Sequence, residues 1–190
     1  MGMFRNLKYE VFSKEVPMSD YIESCVDVEY FEKCCSVCPN YGKTWSCPPY
    51  DFNPLDIWNS YKTFYIYAIK VTTPEEVLNE EYSNEDLMRI GGEILKEAHK
   101  RVDKEMEQLK GAFEGSKILG GGSCRLCGEN KCARLFGNPC RFPDKMTYSI
   151  ESIGGNVEIT LKKYLDQQIC WGKDGHLAPY YMAVGGLMKK

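Results

Sequence analysis

A chain of 190 residues, 43% apolar and 27% charged, has the composition of an ordinary soluble globular protein with length for one sizeable core. Its net charge of −3 excludes a broad nucleic-acid-binding surface and leaves room only for a local basic patch. No apolar run approaches the roughly 18 residues of a membrane span, so no membrane partner is expected.

In chain order, Met1 to Glu10 holds Arg5, Asn6 and Lys8 with no apolar segment behind them, which does not read as a signal peptide. Leu7, Tyr9 and Val11 alternate with Lys8 and Glu10, predicting a short strand over 7–11. Ser19 or Asp20 caps a short predicted helix through Tyr21, Ile22 and Cys25. A cysteine loop follows over about 33–54, where Pro39, Gly42, Pro48, Pro49 and Pro54 oppose a long regular element. Thr63 to Val71 is aromatic and β-branched with both faces apolar, as in a central strand.

Ser83 with Asp86 marks a helix start. From there Leu87, Ile94, Ala98, Val102, Met106 and Leu109 recur at helical spacing up to Gly111. Gly91 and Gly92 inside this stretch each cost about 1 kcal/mol against alanine and mark a close backbone approach or a break. A strand is expected at Ala112–Phe113 or Lys117–Leu119. Gly120-Gly121-Gly122 then opens a second cysteine loop over about 120–143. Tyr148 to Ser152 and Val157 to Ile169 read as two helices separated by Gly154-Gly155, the second with Val157, Leu161, Leu165 and Ile169 toward the core. Leu177 to Leu187 reads as a final strand. The expected fold is α/β or α+β: one domain over 1–190, a single small sheet covered by helices, with two metal-binding cysteine loops.

Eight of the ten cysteines fall in those loops. The first reads Cys34-Cys35-Ser36-Val37-Cys38, then Cys47-Pro48-Pro49; the second reads Cys124-x2-Cys127-x4-Cys132-x7-Cys140. Without a secretory leader the chain is expected in the cytoplasm, where thiols stay reduced and clustered thiols serve as metal ligands or redox groups. With only two histidines, a metal should sit among sulfurs, as an iron–sulfur cluster or zinc. Cys124, Cys127, Cys132 and Cys140 form a nearly complete set for a [4Fe–4S] cluster, and Gly120 to Gly122 can bring amides close to sulfur. A four-cysteine zinc site would use the same residues, but the usual ribbon has two C-x2-C knuckles, and here the second pair is spread to x7.

In the first loop Cys34, Cys38 and Cys47 leave a fourth position open to Cys35, to Cys25 or to a substrate. Alternatively, some of these sulfurs join the second loop's centre, or Cys35 and Cys38 form a thiol-exchange pair. His99 reads as a surface or boundary residue on the long helix and His176 as a turn residue. Arg125, Arg134 and Arg141 form a solvated rim or an anion site. Trp45, Tyr41 and Tyr50 shield sulfur, and Cys25 and Cys170 are small buried hydrophobes. No P-loop, dinucleotide fingerprint or serine-nucleophile elbow is present.

Four pieces stand together: Lys33-Cys34…Cys38-x2-Tyr41-Gly42-x4-Cys47-Pro48-Pro49; Cys124-Arg125-Leu126-Cys127; Pro139-Cys140-Arg141-x-Pro143; and Ser149-x-Glu151-x-x-Gly154. In this combination the chain, from about 33 to 165, resembles a family of small cysteine-rich proteins of bacteria and archaea, many of them anaerobic. They are described as predicted metal-binding proteins. The resemblance implies Cys34, Cys38, Cys47, Cys124, Cys127, Cys132 and Cys140 as metal ligands and leaves Cys35 as the alternative. Where relatives carry a Gly-Ile-Asp-Val-like step this chain has Gly154-Gly155-Asn156-Val157, without the acid. The family supplies no reaction, so whether the chain is an enzyme stays open. One-electron transfer or redox support of a partner protein is the expected role, with a zinc-bound structural or interaction module as the alternative.

Overall fold

The computed structural model describes residues 7–128 and 130–190. Arg5 and Asn6, part of the signal-peptide reading, lie outside the described residues.

The chain runs β1 (Lys8–Pro17), α1 (Met18–Cys25), α2 (Val28–Ser36), α3 (Pro54–Asn59), β2 (Thr63–Thr72), α4 (Glu75–Leu78), α5 (Asn84–Lys110), β3 (Lys117–Gly120), β4 (Tyr148–Ser149), α6 (Val157–Leu165) and β5 (Tyr180–Lys189). Two 3-10 turns, Ala133–Phe136 and Glu151–Ile153, lie in and after the second cysteine loop. Five strands form one sheet in the order β1-β2-β5-β3-β4. The long pairs β1–β2 and β2–β5 are antiparallel, as is β3–β5; only β3–β4 is parallel, with Leu119 opposite Tyr148. This is the expected mixed fold, one sheet with helices on it.

Period-2 alternation in β2 sends its residues to two cores. Phe64, Ile66 and Ala68 face Tyr21, Trp58, Ile153 and Leu161, beneath α1, α3 and α6. Ile69 and Val71 face Ile90, Ile94, Ala98, Val102 and Met106, the apolar stripe of α5. Each such fully buried apolar side chain contributes about 1.5–3 kcal/mol before the entropy of ordering it. Ser83 caps α5 by accepting the Asp86 amide, as its sequence position indicates. Gly91 and Gly92 do not break that helix. A Cβ on Gly91 would lie 2.8 Å from the Tyr181 hydroxyl, so this glycine marks a close approach to β5.

Several local expectations are corrected. β1 continues to Pro17, and α1 starts at Met18, so Ser19 and Asp20 lie inside its first turn and supply no cap. Two short helices flank and enter the first cysteine loop. Asp27 caps α2 by accepting the Tyr30 amide, and Asn53 with Pro54 starts α3. Tyr148–Ser149 is a strand and Glu151–Ile153 a 3-10 turn, rather than one helix. α6 stops at Leu165 because Asp166 turns left-handed at φ 52°, so Ile169 lies beyond the helix. Among the described residues no helix is long and apolar enough to cross a membrane.

Candidate metal centre

The first cysteine group starts on a helix. Cys34 and Cys35 occupy the last turn of α2 and leave it in different directions. Cys34 is exposed and bonds Tyr30, one turn earlier on the same face, raising the tyrosine pKa. Cys35 is half-buried, with Cys47, Cys38, Glu151 and Cys34 all close enough to act on its charge. Burial first, and these neighbours second, push its thiol up to about 11. Exchange cysteines have lowered pKa values, so Cys35 is placed against the thiol-exchange reading. Cys47 is buried, with Sγ 3.2 Å from Ser123 Oγ. Cys25 is buried in the sheet core and Cys170 is half-buried.

The second group gathers around one cleft. Cys124, Cys127, Cys132 and Cys140 all line it, together with Trp45 and Ser46 of the first loop. The Cys124 thiol accepts backbone N–H bonds from Leu126 and Thr147, which lower its pKa; burial outweighs them and leaves it raised. The amides serving this sulfur thus come from Leu126 and Thr147 instead of the triple glycine. Gly121 has a packing duty, since a Cβ there would fall 2.1 Å from His99 Cδ2. Among the described residues, no three His, Cys, Asp or Glu side chains stand close enough together to hold a metal ion. The four thiols therefore share a cleft of suitable soft donors, and closing on a metal requires them to draw together.

The two loops are clasped to each other. Ser46 Oγ accepts the Cys124 amide at 2.9 Å, and Asn40 Nδ2 donates to Ser123 Oγ at 3.0 Å. Trp45 Nε1 donates to the Asn138 carbonyl at 3.0 Å. Arg134, read from sequence as rim or anion site, points back to the first loop. Its guanidinium donates to the carbonyls of Thr44 (2.9 Å), Cys47 (2.5 Å) and Pro49 (2.6 Å), and lies 5.1 Å from the Trp45 ring. Five donors in a planar fork suit this task; a lysine could not span it. No sequence spacing announces the contact, because its partners are carbonyls some 90 residues away.

Burial shapes the surrounding charges. His99 packs over Gly121, its Nδ1 is buried without a partner among the described residues, and burial with the Arg125 charge lowers its pKa to about 4. It is thus a boundary residue kept neutral. Burial raises the carboxyl pKa of Asp103, and that of Glu151 beside Cys35. His176 sits in a turn, where its Nδ1 lies 3.1 Å from the Glu80 carbonyl.

A family model described as "Predicted metal-binding protein (DUF2284)" matches residues 20–187. That span contains every cysteine of both loops. No curated protein matches the chain. No solved structure matches it.

Proposed function

Because the chain belongs to this family of predicted metal-binding proteins, we propose that its second loop holds a [4Fe–4S] cluster on Cys124, Cys127, Cys132 and Cys140. The observation that carries this reading is that these four cysteines line one cleft, with two backbone N–H groups on Cys124 and no histidine among the lining residues. Such a cluster supplies one-electron chemistry. The chain's part is to hold four thiolates, cover them with Trp45, and direct the Leu126 and Thr147 amides at sulfur, a contact that tunes potential. The proposed role is electron transfer or redox support of a partner protein in the cytoplasm, whose reducing environment suits ten free thiols.

Cys38 and Cys47, with Cys34, are proposed ligands of a second centre in the first loop. Cys35 is its fourth thiolate, since Cys25 is committed to the core and Cys35 has the other three sulfurs around it. The test is iron, acid-labile sulfide and the visible spectrum of anaerobically purified protein. Brown protein with about four or eight iron and equal sulfide is expected. Colourless protein with about one or two zinc ions and no sulfide would replace this reading with a structural zinc module.

A further inference from the structure

We propose that the groove between the two cysteine loops and the edge of the sheet binds a planar aromatic molecule carrying an anionic group. The groove encloses about 540 Å³ where Trp45, Tyr50 and Phe52 of the first loop, Cys140 of the second, Lys117 of β3 and Tyr148 of β4 meet. Small-ligand sites typically span roughly 300–1,000 Å³, so this volume admits a molecule of two or three fused rings.

Aromatic geometry favours a flat guest. Tyr50 and Phe52 are stacked at 4.7 Å, and Tyr148 meets them edge-on at 5.6 and 6.0 Å. Phe52 lines the groove and keeps 36% of its surface exposed, so a further ring can pack against this stack. The charge for an anion is Lys117. Its Nζ lies 5.2 Å from the Tyr148 ring centroid, and among the described residues it makes no ion pair. The second cation of the wall, Arg134, is engaged with three carbonyls, and Asp51 is the wall's one carboxylate. Burial and the nearby Lys110 charge lower the Lys117 pKa, so an anion beside that ammonium restores stabilisation that desolvation removes. Cys140 in the wall puts such a ligand beside the proposed cluster, but its binding does not depend on the cluster reading.

The same two features occur in an aromatic carboxylate and in a nucleotide phosphate such as FMN, and both serve as probes. Calorimetric titration of the protein as purified is expected to show binding of 2-naphthoate or FMN. The neutral 2-naphthalenemethanol should bind several-fold more weakly, and cyclohexanecarboxylate should give no saturable binding. A larger affinity gain from riboflavin to FMN than from 2-naphthalenemethanol to 2-naphthoate identifies the anion as phosphate; the reverse identifies carboxylate. Lys117→Met should weaken the anionic probes by roughly threefold to tenfold and leave the neutral arene unchanged. Phe52→Ala should weaken both. No binding of naphthoate or FMN at millimolar concentration, or affinities indifferent to both substitutions, overturns the proposal. Metal and sulfide content of the same samples separates the two readings. Colourless protein that binds the probes keeps the groove and removes the cluster; brown protein that binds neither does the reverse.

Discussion

Cys127 and Arg134 hold the second loop in different ways. Cys127 lines the cleft as one of four thiols, so Cys127→Ala is expected to abolish metal binding in that loop and cost several kcal/mol. Wild-type metal content and melting temperature in the variant would refute its assignment. Arg134→Met keeps the apolar stem and removes three hydrogen bonds to first-loop carbonyls. Denaturant unfolding should show a loss of about 2 kcal/mol, with metal bound less tightly in both loops. An unchanged midpoint would mean the clasp is made by Ser46, Trp45 and Asn40 without Arg134. The four cysteines that line the cleft were readable as a group from their spacing, because they lie within one loop. Arg134, Ser46 and Thr147 were not, because each acts on atoms brought close only by the fold. Cys35 shows the same limit: its sequence neighbours make it interchangeable with Cys34, and only the helical turn of α2 separates their directions.

Periodicity served the long elements well. The stripe of α5 and the aromatic run of β2 gave type and extent nearly to the residue, since each buries one face or two over many turns or pleats. Short elements carry no period and were missed, β4 with two residues, α3 with six and the Glu151 turn with three, while the ten-residue β1 was read only as far as Val11. The two α5 glycines offer an internal test. Gly92 has no atom within 4 Å of an added Cβ, so Gly92→Ala should gain up to about 1 kcal/mol, raising the melting temperature by about 2–4 °C. Gly91→Ala gains the same helical preference but meets Tyr181 at 2.8 Å, and should gain less or lose. Equal shifts in a thermal melt would mean that α5 and β5 are not in close contact at that point.

For the whole molecule, acid sensitivity has a traceable source in His99. Its pKa of about 4 in the folded chain lies below the ordinary 6.5, so the unfolded chain takes up a proton that the folded one refuses. Stability from this residue is complete above about pH 6.5 and is lost as pH falls through 4. Between about pH 7.5 and pH 5 wild type should lose about 2 kcal/mol more stability than His99→Leu does. The raised Asp103 carboxyl acts in the opposite direction, but in both proteins, so it cancels from the comparison. A stability difference between the two proteins that does not change with pH would show that folding leaves the His99 pKa where it is in the unfolded chain.

The parallel pairing of β3 with β4 has a consequence for the order in which the protein assembles. Parallel neighbours need a long crossover, usually a helix that is ordered in its own right. Here the crossover is the segment from Gly121 to Thr147, with four cysteines and, among the described residues, one 3-10 turn. The four strands β1, β2, β5 and β3 can close without it, but the fifth joins only when this segment is shaped. If the loop takes up metal as proposed, its loading should therefore be the last event of maturation. Amide exchange after chelation should open first at Tyr148–Ser149 and the following turn, while β2 and β5 stay protected. On the proposed metal-binding reading, the sheet edge would then act as a maturation checkpoint, displaying a frayed strand until the proposed metal has been taken up.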